Sequence, residues 1–136
     1  MLVDGAVVPL AIVVTGANRH DVWQLEGVLD SIVVERPDIF ERPQHLCLDK
    51  GYSGEPALEI VVLRGFIPQI KSRGVEKAEK TADPENKARR WVVEATHSWI
   101  NRFGKLLVRY EKLTTSYLGL LMFACAFIAF RKANII

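Results

Sequence analysis

Apolar and polar positions follow one another along this chain in blocks whose period changes several times, and each change predicts an element. Leu2-Val3-Asp4-Gly5-Ala6-Val7 and Val8-Pro9-Leu10-Ala11-Ile12-Val13-Val14-Thr15 are two β-rich runs around a glycine-containing turn, the pattern of a hairpin. After a polar break, Gly16 to Asp21, with Asp21 placed to cap, Trp23, Leu25, Val28, Leu29, Ile32 and Val33 recur at helical spacing through Val34. A proline-punctuated connector, Arg36 to Pro43, leads to His45-Leu46-Cys47-Leu48, an apolar run of strand length that stops at Asp49-Lys50-Gly51-Tyr52. Pro56 to Leu63 predicts a short helix with proline near its first turn and Gly65 at its end, and Phe66 to Ile70 a further strand.

Lys71 to Asn86 is polar, with alternating charges, and predicts a loop. From Lys87 to about Glu111 the helical period returns, with Val92, Trp99, Phe103, Leu106 and Tyr110 on one stripe. Thr114 or Thr115 can cap a last helix, Tyr117 to Phe130, in which all fourteen residues are apolar or glycine. A bilayer span needs about 20 residues, so this segment is expected to be a fully buried helix closed by the Arg131-Lys132 pair. The order strand, strand, helix, strand, helix, strand, long helix, helix predicts an α/β protein, a mixed sheet with helices packed on it.

Composition adds that the 136 residues, 49% hydrophobic and 25% charged, form one folded domain, not a disordered or low-complexity chain. Cys47 and Cys125 lie in apolar stretches without a CxxC pair, and read as buried thiols of a reducing compartment. The net charge of +2 hides an asymmetry: residues 1–70 carry five basic and ten acidic side chains, residues 71–136 thirteen and six. The second half is therefore either a surface for an anionic partner or an ordinary solvated basic face, and the charge count alone does not choose between them.

Two carboxylates stand out. On a continuous helix Lys87, Arg90, Glu94, His97, Asn101 and Lys105 fall within about 60° of Glu94, setting one acid in a stripe of donors and cations. An ordinary solvated face with an Arg90–Glu94 pair is the plain reading, and a metal-binding or acid/base carboxylate with phosphate-gripping neighbours is the functional one. Asp49 follows a buried strand, a favoured place for chemistry, although Asp before Lys-Gly also makes a simple turn. Acids at a strand end and on a helix are the hard oxygen ligands that Mg²⁺ takes. His20 and His45 read as loop histidines, the single Glu94-x-x-His97 does not make a di-iron motif, and no GxxxxGK[ST], GxGxxG, GxSxG or HExxH occurs.

The blocks Leu2-Val3-Asp4-Gly5, Val8-Pro9-Leu10-Ala11, Thr15 to Asp21, Leu46 to Tyr52 and Arg90 to Phe103 resemble the later part of the DDE transposases of bacterial insertion sequences, of the family-five type within the family-four group. The resemblance runs from Leu2 to about Arg131. It implies a ribonuclease H-like fold in which Asp49 matches the second acid of the triad and Glu94 the third, with Mg²⁺ or Mn²⁺ between them. Around the third acid the family signature reads Tyr, two residues, Arg, three residues, Glu, six residues, Lys. Arg90 and Glu94 fit, while Lys87 and Asn101 stand where Tyr and Lys would be, leaving Arg102 or Lys105 to supply the cation. Ala95 and Gly104 replace further arginines of the pattern.

The resemblance further implies that the first acid lies upstream of the Leu2–Gly5 hairpin. Residues 1–136 are then expected to be a single, partial catalytic domain, a C-terminal part or second reading frame, with Asp4 serving only the turn. The implied function is metal-dependent cleavage and transfer of insertion-sequence DNA in the bacterial cytoplasm, at the nucleoid. Lys50, Arg90, His97, Asn101, Arg102 and Lys105 would hold phosphates or terminal bases. The implied partners are DNA and the upstream part of the transposase or another protomer, with no membrane. A catalytically inactive DNA-binding or regulatory remnant is the alternative. Asp49 and Glu94 are expected to approach one another, and the chain alone to bind DNA without cutting it.

Overall fold

In the computed structural model, which describes residues 1–16, 18–70 and 91–135, the chain divides into two units, Met1–Val14 with Trp91–Ile136, and Thr15–Arg90. In the first unit the expected hairpin forms, but with short strands: β1, Leu2–Val3, pairs antiparallel with β2, Pro9–Ala11, in the register Leu2 with Ala11 and Val3 with Pro9. Asp4 makes the turn, as its type predicts. Its carboxylate accepts the Ala6 and Val8 amides, both at 2.8 Å, leaving the buried Val7 at φ +70°.

The expected helix from Lys87 to Glu111 is not continuous. Helix α3 is described over Trp91–Asn101, and a separate turn of helix, α4, covers Gly104–Leu107. Phe103 between them is extended (ψ 96°). The break sits at Gly104, a weak helix former, and it lets Phe103 meet Phe127 edge to face at 5.8 Å while Leu106 enters the core.

The last helix, α5, covers Thr114–Lys132, nineteen residues rather than fourteen, with Leu113 at its cap position and no capping side chain. Nor is it fully buried. Leu121, Ala124, Cys125 and Ile128 pack with Ile100 and Leu106, whereas Met122, Phe123, Phe127 and Phe130 are exposed, Phe123 by 67%. An all-apolar helix lying on one layer of partners can cover only one of its faces. At about 28 Å the helix is also long enough, and apolar enough, to cross a membrane by length and composition, so the length argument against a span does not hold. One row of α5 side chains packs on Ile100 of α3 and Leu106 of α4.

In the second unit a 3₁₀ turn, Asp21–Gln24, leads into α1, Leu25–Asp30. His20, not Asp21, holds the cap position, and the helix stops before the β-branched Ile32-Val33-Val34. Only Leu25 and Leu29 of its stripe are buried, and Trp23 and Val33 are exposed. Strand β3, Gln44–Leu48, helix α2, Glu55–Leu63, and strand β4, Phe66–Ile70, then form a β–α–β unit with parallel strands in the register Gln44 with Phe66 to Leu48 with Ile70. Pro in the first turn of α2 and Gly65 (φ +71°) after it act as the sequence predicts. The whole is a mixed helix-and-strand α/β structure, with its strands in two two-stranded sheets among the described residues. The segment 71–86, expected as a loop, lies outside the described residues.

Candidate functional site

Asp49 stands at the C-terminal end of β3, where parallel strands present side chains to ligands. It caps the 3₁₀ turn Lys50–Tyr52: its carboxylate accepts the Lys50 amide at 2.6 Å, and its carbonyl accepts the Tyr52 amide at 2.9 Å. Both turn and strand end follow from the local sequence, since an apolar run must stop where Asp-Lys-Gly offers the backbone a polar alternative. Asp49 and Lys50 are exposed.

Glu94 lies exposed on α3, with His97 and Asn101 three and seven residues on, along the same face. Lys105 does not continue this stripe, because it belongs to α4 beyond the break at Phe103. Arg90 lies outside the described residues, as does Lys87. Burial, and then the α-ammonium of Met1, hold the His97 imidazole below its ordinary pKa although its edge remains in solvent. Asp49 belongs to the second unit and Glu94 to the first. Among the described residues no group of three or more His, Cys, Asp or Glu comes together as a metal site.

Behind the Glu94 face the helix is anchored by Thr96, which is fully buried. Its hydroxyl donates to the Val92 carbonyl at 2.8 Å, and the Val7 carbonyl of the hairpin lies at 3.3 Å. The hairpin thus fixes the rotation of α3, and with it the direction in which Glu94 points.

Two features of this region escape sequence reasoning. Arg102, beyond the last turn of α3, shares a pocket with Arg131 and Lys132 from the end of α5, and the Lys132 ammonium sits 4.8 Å over the Trp99 ring. Trp99 and Phe103 read as core residues, and no local signal brings a basic pair some thirty positions downstream beside them. Cys47, expected to be buried, is exposed on β3, its thiol 3.6 Å from the Gln69 amide oxygen of β4, because the pleat turns alternate residues outward. Cys125 is buried as expected, and burial pushes its thiol pKa up.

The model of the transposase DDE domain family matches residues 46–131. A Burkholderia cepacia protein named as a transposase for insertion sequence element IS402 is 32% identical over 131 residues, covering 94% of this chain and 60% of its own length. The chain thus spans about three-fifths of that curated relative. No solved structure gives a significant match.

Proposed function

The chain belongs to the transposase DDE domain family, and from that membership we propose that it supplies Asp49 and Glu94 to a metal-dependent site that cuts and rejoins insertion-sequence DNA. The observation that carries the reading is the extent of the family match, which takes in both carboxylates. Asp49 at the mouth of a parallel strand and Glu94 on an anchored helix face support it. In this reading the two units belong to one ribonuclease H-like domain.

Carboxylate oxygens are the donor type that Mg²⁺ or Mn²⁺ takes, and both acids are accessible, so the donor set fits such an ion as far as it goes. Further ligation comes, in this proposal, from polypeptide outside the described residues, in keeping with a relative longer than the matched part. A bound divalent ion supplies activation of the attacking oxygen and stabilisation of the leaving one. The chain's own residues orient and bind. The Lys50 amide holds the Asp49 carboxylate at the strand end. Lys50, Arg90, Arg102 and Lys105 grip phosphates as charges, while Asn101 and His97 offer hydrogen bonds. Such contacts position the DNA without choosing its sequence. The setting is the bacterial cytoplasm, at the nucleoid, with the upstream part of the transposase or another protomer as protein partner.

The test is strand cleavage of the element's own ends with Mg²⁺ or Mn²⁺, using this chain complemented by or joined to the upstream polypeptide. Asp49→Asn and Glu94→Gln should each lower the rate by several orders of magnitude, roughly the scale of losing a preorganised charge-stabilising group, while duplex binding stays within about twofold. Unchanged cleavage in either variant rejects its assignment. Binding without any cleavage by the complemented protein favours the regulatory remnant.

A further inference from the structure

Val7 is held in a conformation that its own side chain resists. Among the described residues only Val7 and Asn134 combine a side chain with a positive φ, and asparagine tolerates that region whereas a β-branched residue does not. Asp4 imposes it with its carboxylate and its backbone together. One carboxylate oxygen accepts the Ala6 and Val8 amides, the Asp4 carbonyl accepts the Val7 amide at 3.1 Å, and the Asp4 amide donates to the Val8 carbonyl at 3.0 Å. Strain retained in a buried turn points to a use for the turn.

That use lies on α3. Val7 is 3% exposed, and its carbonyl receives the Thr96 hydroxyl at 3.3 Å, a bond between elements beside the one within the helix to Val92. Among the described residues Thr96 is the one fully buried polar side chain. Valine would fill the same space with no hydroxyl to satisfy, so packing alone does not ask for threonine. Apolar contacts such as those of Val92 and Ile100 are non-directional and let a helix roll, whereas a hydrogen bond to a fixed carbonyl has a direction.

Roll matters because of what the other face carries. Glu94 precedes Thr96 by two residues, about 200° around the helix, which puts its carboxylate on the side away from Thr96. A group about 6 Å from the helix axis moves about 1 Å for ~10° of roll, and an error of that size costs about 100-fold in a reaction that depends on positioning.

We propose that Asp4 and Thr96 are positioning residues for Glu94: Asp4 keeps the Val7 turn in its strained form, and the turn, through Thr96, fixes the roll of α3 at which Glu94 meets a divalent ion. The inference rests on the reading of Glu94 as a metal ligand, and it gives Asp4 a part in the site without making it a ligand.

Two measurements test it. In the whole chain, the nuclear Overhauser contact between Val7 and the Thr96 methyl should vanish in Asp4→Ala and persist in Asp4→Asn, whose amide oxygen accepts the same two bonds. In the chain complemented by the upstream polypeptide, Mn²⁺ binding followed by electron paramagnetic resonance should weaken about tenfold in Thr96→Val and Asp4→Ala, and the Mn²⁺ needed for half-maximal cleavage should rise by the same factor. Thr96→Ser and Asp4→Asn keep the required groups and should stay within about twofold of the parent. Ile128→Val, a loss of packing in the same unit away from this contact, should lower the thermal midpoint and leave Mn²⁺ binding unchanged, which separates positioning from stability. Asp4 lies outside the buried core, so Asp4→Ala carries the test even where Thr96→Val does not fold. Unchanged Mn²⁺ binding in the two disrupting variants, an equal loss in Ile128→Val, or an Asp4→Asn as damaging as Asp4→Ala would overturn the proposal, the last because Asp4 would then be a ligand itself. Glu94→Gln separates the two readings. If it abolishes Mn²⁺ binding and cleavage while Thr96→Val and Asp4→Ala change neither, this inference alone fails; if Glu94→Gln changes neither, the metal-site reading fails and takes this one with it.

Discussion

One guanidinium, that of Arg36, closes the joint between the proline-rich connector and the β–α–β unit. It donates to the Gln44 amide oxygen at 2.8 Å and to the carbonyls of Arg64 and Gly65 at 2.6 and 3.1 Å, and it lies 3.6 Å over the Phe66 ring. A planar fork can serve three acceptors and a ring face together, and an ammonium cannot. Arg36→Ala should cost about 2 kcal/mol in urea unfolding, and Arg36→Lys should recover little of it; full recovery by lysine would show that charge alone matters. His97 gives a second test at this scale. Its folded pKa is lowered, so the unfolded chain takes up the proton first, and stability should fall as pH drops below about 6.5. An NMR titration placing the His97 midpoint at or above the free-imidazole value would contradict the burial that causes the shift.

Among the elements, α5 shows most plainly where pattern ends and packing begins. Leu121 is 4% exposed and Phe123 67%, although both sit in the same apolar run. Leu121→Ala should therefore cost about 2–5 kcal/mol, and Phe123→Ser less than about 0.5 kcal/mol, in thermal or denaturant unfolding. Similar losses at both positions would mean that the exposed face is covered in solution. Local signals gave away α2, β3 and β4, because proline, Gly65 and Asp49 write their ends into neighbouring residues. The two sides of α5 carry the same chemistry, so only its partners decide which is buried. The break at Phe103 likewise depends on Phe127, distant in sequence. Of the candidate site, the strand-end place of Asp49 and the shared face of Glu94, His97 and Asn101 were legible in the sequence, whereas Lys105 drops off that face because the helix does not continue to it.

At the scale of the molecule, the two units differ in character. The first carries six basic and three acidic side chains and packs three helices against a hairpin, and the second is built around a parallel strand pair. Each unit also holds one cysteine, exposed Cys47 in the second and buried Cys125 in the first. Thiolate reactivity depends on access and on pKa, and Cys125 is disfavoured on both counts. A maleimide should consume the exposed Cys47 first, and Cys125 only as fast as the first unit opens. Equal rates under native conditions would show that this unit does not stay closed. The chain thereby carries its own chemical handle and its own clock. A dye or crosslinker can be placed on Cys47 without engineering, and the delay before a second label appears measures how often the core around α5 comes apart.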